Sequence, residues 1–125
     1  SGAGKSSLAL LLAAAPDGAF VADDRVLCAI RDGRITAGPH PALAGRVEVR
    51  GQGILSAADL GLAVRPEAVL HLAVDLVGTA PRLPEPPEPA DILGLAVPRL
   101  VLDRGARAAG LAPLLVRAAL RKPRP

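Results

Sequence analysis

The stretch SGAGKSSLALLL at residues 1–12 constrains this chain more than any other. Ser1, Gly2, Ala3, Gly4, Lys5 and Ser6 supply the last six positions of the phosphate-loop pattern G-x-x-x-x-G-K-[ST]. The pattern's leading glycine and the strand that feeds it would precede Ser1, so the loop reads as truncated at its start. Gly2 and Gly4 permit positive φ and close backbone approach to an anion. Successive N–H groups then form a nest, and the following helix aims its positive end at the same point. Lys5 adds a charge for the β- and γ-phosphates, and Ser6 offers a hydroxyl to Mg²⁺. Ser7 opens the apolar helix. The simpler alternative, a glycine-rich helix start with an ordinary serine cap, explains less of the order loop, lysine, serine, helix.

A phosphate loop needs carboxylates nearby. FVADD, ending in Asp23 and Asp24, supplies two at the end of a short apolar run. In parallel-sheet folds the C-terminal strand ends line the ligand crevice. Successive strand side chains point to opposite faces, so the two acids should do different work unless the strand has broken by Asp23. One can face Mg²⁺, and the other can accept the proton of an attacking hydroxyl. A surface turn is the bland reading of the same pair. VEVRGQGIL follows, with Glu48 and Arg50 on one strand face and Gly51 and Gly53 just beyond. A carboxylate there can hold a second metal or its water, and a guanidinium can clamp phosphate oxygens. A cross-strand ion pair beside a turn explains that stretch equally well.

The rest of the chain reads as an α/β arrangement of short elements. Residues 6–15 form a helix stopped by Pro16–Gly18, and residues 19–22 a buried strand. RVLCAIRDGRITAG reads as a hairpin turning at Asp32-Gly33. Residues 38–45 form a loop, 46–50 a strand, 56–62 a short helix and 69–76 another strand. The proline-rich segment 78–91 is a loop within one domain. Residues 108–121 form a closing helix, weakened at Gly110 and able to start near Pro113. Cys28 in VLCAI reads as a core thiol, His40 as a loop residue and His71 as a structural one in its strand.

Composition excludes several classes. The hydrophobic fraction of 50% in 125 residues supports one folded domain, with Phe20 as its lone aromatic. A net charge of +3 without an aromatic and basic platform argues against nucleic acid. The basic tail RKPRP reads as a solvated end. One cysteine excludes an internal disulfide and a cysteine-based zinc site. No apolar run approaches the roughly 18 residues of a membrane span.

Three motifs in order, SGAGKSSLAL, FVADDRV and VEVRGQGI, resemble HPr kinase/phosphorylase. That family's pattern runs S-G-x-G-K-S, a short helix, V-A-D-D-x-V and E-[IV]-R-G-x-G-I. More loosely, PRLP at residues 81–84 resembles the family's D-R-L-G, with Pro81 and Pro84 replacing Asp and Gly. VPRLVLDRGAR resembles I-P-x-x-x-I-P-V-x-x-G-R, with altered spacing. The resemblance covers nearly all of residues 1–125, as one catalytic domain of a short form without the family's N-terminal domain.

The resemblance implies an α/β phosphate-loop kinase domain with a central mixed sheet, flanking helices and a β-hairpin layer. It implies an ATP- and Mg²⁺-dependent kinase that phosphorylates a serine of HPr, the small phosphocarrier of the sugar phosphotransferase system. Many members also run the reverse phosphorolysis. By the same match, Lys5 binds phosphates, and Ser6, Asp24 and Glu48 serve the metals. Asp24 is the base, with Asp23 as its understudy or a metal-shell partner. Arg82 matches the catalytic arginine. Arg104 and Arg107 fall in the segment tied to phosphorolysis. A family histidine lies upstream of the loop, before Ser1. The resemblance further implies a cytoplasmic ring of commonly six subunits. Two other readings share the nucleotide site. One is a small-molecule phosphotransferase related to phosphoenolpyruvate carboxykinase. The other is a nucleotide-sensing module that partners a sensor kinase.

Overall fold

The structure is a computed structural model that describes residues 4–49, 51–79 and 86–122. The chain divides into two compact units, one from Gly4 to Val69 and one from Leu70 onward.

The first unit opens with helix α1, Lys5–Ala13. The chain leaves α1 through a tight corner at Gly18, where any Cβ would run into the carbonyl oxygens of Leu12 and Ala13. Only glycine fits there, so the PDG sequence stops the helix by sterics as well as by turn propensity. Strands β1 (Val26–Arg31) and β2 (Arg34–Pro39) form the expected hairpin. Its turn residues Asp32 and Gly33 both have positive φ, 53° and 75°, as a two-residue turn matched to strand twist requires. A 3₁₀ turn over Pro41–Leu43 follows, in which His40 Nδ1 accepts from the Ala42 N–H at 3.1 Å. Strands β3 (Arg46–Val49) and β4 (Gly53–Ser56) pair antiparallel, and β5 (Ala68–Val69) pairs antiparallel with β2.

Ala13, Phe20, Val47 and Ala57 form one core cluster of this unit, with Leu10, Val49 and Leu62 packed against it, and Ile35 and Ala37 are buried on β2. One side of α1 is thereby docked on β3. Phe20 is only 2% exposed and is the one large anchor among small residues.

The second unit holds β6 (Ala73–Leu76) paired in parallel with β9 (Arg99–Leu102), and an antiparallel hairpin of β7 (Ala90–Ile92) and β8 (Leu95–Val97). Helices α2 (Arg104–Ala108) and α3 (Ala112–Arg121) follow. Its buried residues are Ala90, Val97, Leu102, Ala112 and Val116.

Several expectations are corrected. The hairpin layer is present. In place of one central mixed sheet, the described residues form four separate sheets, one of three strands and three of two. Residues 19–22 make no strand: Phe20 has a single parallel bridge to Val64, too little for a ladder. Residues 56–62 turn rather than coil into a helix. Ser56 stays in β4, its hydroxyl accepts from the Asp59 N–H at 2.9 Å, and Gly61 at φ 74° ends the turn. The expected strand 69–76 is two strands, because β5 and β6 pair with different partners in opposite senses. His71 falls between them, exposed. The closing helix takes the later of its two allowed starts: Gly110 lies before it at φ 74°, and α3 begins at Ala112 with Pro113 in its first turn. The β7–β8 hairpin turns at Leu93-Gly94, both at positive φ, within a stretch that carries none of the usual Asn-Gly or Asp-Gly turn pairs. Cys28 is not a core thiol but exposed, because β1 is an edge strand with all six residues open to solvent.

Candidate functional site

The site is built at the start of α1. Gly4 caps the helix with φ 89°, and a Cβ there would meet nothing within 4 Å. The glycine is therefore required by backbone angle rather than by space. No side chain caps α1 and its first turn holds no acidic residue. Among the described residues no side chain accepts from the N–H groups at this end, an arrangement suited to an anion. Lys5 and Ser7 are exposed and Ser6 is half-buried.

The acidic pair reaches this end of the helix by way of Phe20. The Phe20 N–H donates to Ala63 O at 2.7 Å and its carbonyl accepts from the Arg65 N–H at 2.9 Å. With its ring in the core, Phe20 is fixed on both backbone and side chain, and Asp23 follows three residues later. Asp23 Oδ1 accepts from the Ser6 hydroxyl at 2.7 Å, and its Oδ2 accepts from the Glu48 N–H at 3.1 Å. Asp24 turns to Lys5, with Oδ1 3.9 Å from Nζ. Both of those side chains are mostly exposed, so this long ion pair adds little stability. It does put an acid and the loop lysine at one end of α1.

The two aspartates therefore take different partners, although no strand alternates them. Asp23, not Asp24, meets the Ser6 hydroxyl. The Glu48 carboxylate lies on the exposed side of β3, opposite buried Val47, while its backbone amide meets Asp23. That amide was missed in the sequence, where a backbone group carries no signature. Gly51 and Gly53, at φ 82° and 92°, flank the β3–β4 turn. Ser1, Gly2, Ala3, Arg50 and Arg82 lie outside the described residues.

Arg104 and Arg107 belong to the second unit. Asp103 caps α2 by accepting from the Ala106 N–H at 2.8 Å. Arg107 donates to Leu102 O at 2.8 Å and to Val77 O at 2.9 Å. It thereby holds carbonyls at the C-terminal ends of two parallel strands, a structural task. Arg104 is exposed.

The residues present fit a nucleotide phosphate and Mg²⁺. The helix start and Lys5 suit the phosphate, and Ser6 with nearby carboxylates suits the metal. Among the described residues no three His, Cys, Asp or Glu side chains group to hold a metal by themselves.

Fold and site together define a mixed α/β chain of several small sheets and few helices, with a kinase-like architecture. Its structure is similar to that of the HPr(Ser) kinase/phosphatase from Coxiella burnetii, with a TM-score of 0.73 and 28% sequence identity, over 93% of this chain and 76% of that one. The chain has the fold of HPr kinase/phosphorylase, consistent with that family's C-terminal catalytic domain. No protein-family model matches the chain. No curated protein sequence matches it either. Among the described residues no helix is long and apolar enough to cross a membrane.

Proposed function

We propose that residues 1–125 form the catalytic domain of an ATP- and Mg²⁺-dependent serine kinase acting on an HPr-type phosphocarrier. The observation that carries this reading is the meeting of Lys5, Ser6, Asp23 and Asp24 at the uncapped start of α1. The likeness to the Coxiella burnetii enzyme supports the choice of reaction.

In this reading the loop from Ser1 through Ser7 binds the nucleotide. Lys5 neutralises the β- and γ-phosphates. It exchanges its weak contact with Asp24 for phosphate oxygens, which frees that carboxylate to face the acceptor. Ser6, with Asp24 and Glu48 to draw on, would hold Mg²⁺, which would supply charge neutralisation on the transferring group. Asp24 accepts the proton of the acceptor serine hydroxyl as the phosphoryl group moves. Arg82 stabilises charge on that group, and Arg50, Gly51 and Gly53 shape the phosphate side of the site. Arg104 contacts substrate in the reverse direction, in which phosphate attacks phosphoserine and Asp24 returns the proton. The protein works in the cytoplasm as a homo-oligomer, with neither nucleic acid nor membrane as partner.

The test is incubation of the intact protein with labelled ATP, Mg²⁺ and the HPr-type proteins of its own genome. Label on a carrier serine supports the reading. Transfer to a small acid instead would support the phosphoenolpyruvate carboxykinase-like alternative. ATP binding with no acceptor, together with a stable complex with a sensor kinase, would support a regulatory module.

A further inference from the structure

We propose that Asp23 is a positioning residue that transmits the state of the Ser6 hydroxyl to the backbone of β3, leaving its neighbour Asp24 as the reactive acid. What occupies the loop rests on the function proposed above; the linkage itself does not. Asp23 is half-buried, and each of its carboxylate oxygens has its own partner: Ser6 Oγ at 2.7 Å and the Glu48 nitrogen at 3.1 Å. The first is a charge-assisted contact, short and directional. Ser6 has one proton to give, and giving it to Asp23 fixes where the hydroxyl's lone pairs point. The second contact uses an N–H on the edge of β3 away from β4, where a further strand would otherwise pair.

The two contacts form one path. Phe20 anchors the backbone before Asp23, so the carboxylate cannot follow one partner without pulling on the other. At the other end of the same helix, the packing of Leu10 and Ala13 with Val47 and Val49 docks α1 on β3 through apolar groups. Asp23 is the polar counterpart of that docking at the phosphate end. A cation on Ser6, or a rotation of its hydroxyl, changes what Oδ1 receives and hence the Oδ2 contact. From Glu48 the strand runs two residues to the turn bearing Gly51 and Gly53, so occupancy of the loop is communicated to that turn. Asp24 faces Lys5 instead.

A double-mutant cycle read by NMR on the intact, ligand-free protein tests this. Ser6→Ala is expected to shift the Glu48 amide resonance and speed its hydrogen exchange several-fold. In an Asp23→Ala background the same change should leave that amide unmoved. Asp23→Asn, which keeps a carbonyl acceptor and the side-chain volume, serves if Asp23→Ala does not fold. Asp24→Asn should leave the Ser6→Ala response intact. A Ser6→Ala shift that persists without Asp23, or no shift in the parent protein, overturns the proposal. ADP without Mg²⁺, which gives the Glu48 carboxylate no metal to bind, is then added as a probe. If it binds, the Glu48 amide should respond in the parent and not in the Asp23 variant, and a response in both overturns the linkage. Failure of ADP to bind would count against the proposed function, while the ligand-free cycle still decides the linkage.

Discussion

The Ser6 hydroxyl donates to Asp23 Oδ1 at 2.7 Å, joining the first turn of α1 to a residue 17 positions further along the chain. This contact separates the two adjacent acids. Asp23 is engaged on both oxygens, and Asp24 stands beside Lys5 with its carboxylate largely in solvent.

Lys5→Ala should weaken ATP binding while leaving the fold alone. The loss of a charge-assisted contact to phosphate is worth roughly 10- to 100-fold in affinity. The Lys5–Asp24 pair is exposed and long, so unfolding free energy should change by less than about 1 kcal/mol. Calorimetry with ATP and urea unfolding on the same preparation check the two halves. Comparable loss of both would show that Lys5 is structural.

Gly18→Ala should destabilise the first unit. An added Cβ meets backbone carbonyl oxygens of Leu12 and Ala13, which cannot swing aside as a flexible side chain can. The expected cost is about 1–3 kcal/mol, as for overpacking a tight site, seen as a lowered urea midpoint with unchanged slope. An unaltered midpoint would mean that the corner after α1 relaxes freely.

Arg107→Ala should cost about 2 kcal/mol of stability, because its guanidinium serves two carbonyl groups at the ends of β6 and β9. Arg104→Ala, at an exposed position, should change stability by no more than about 0.5 kcal/mol. Thermal unfolding of the two variants distinguishes them. Equal and small effects would return Arg107 to the pool of substrate-binding candidates.

The parts that local chemistry decides were legible in the sequence. The Lys5–Ala13 helix, the Asp32-Gly33 hairpin and the β3 strand follow from periodicity and turn residues. The grouping of Lys5, Ser6, Asp23 and Asp24 followed from motif order and is seen as contacts. What was not legible depends on partners distant in sequence. Nothing in AFVA reveals that Phe20 finds only one bridge partner. Nothing in VLCAI reveals that its strand lies at an edge, which is why Cys28 reads as buried and is exposed. The break at residues 70–72 arises because β5 and β6 join different ladders. Arg107 reads from its segment either as a candidate for phosphorolysis or as a surface charge, and nothing near it in the sequence reveals its two carbonyl partners.

Single-turnover transfer of labelled γ-phosphate from ATP to the cognate HPr-type carrier, compared between the parent protein and Asp24→Asn, tests the proposed chemistry most directly. The expected result is phosphoserine on the carrier in the parent. In the variant the rate should fall by about 10²–10⁴-fold, with affinity for Mg²⁺-free ATP within about twofold of the parent, because the change removes only a long, exposed ion pair to Lys5 and leaves the lysine and the start of α1 in place. Transfer that survives Asp24→Asn at the parent rate, or no transfer by a parent protein that binds ATP, would contradict it.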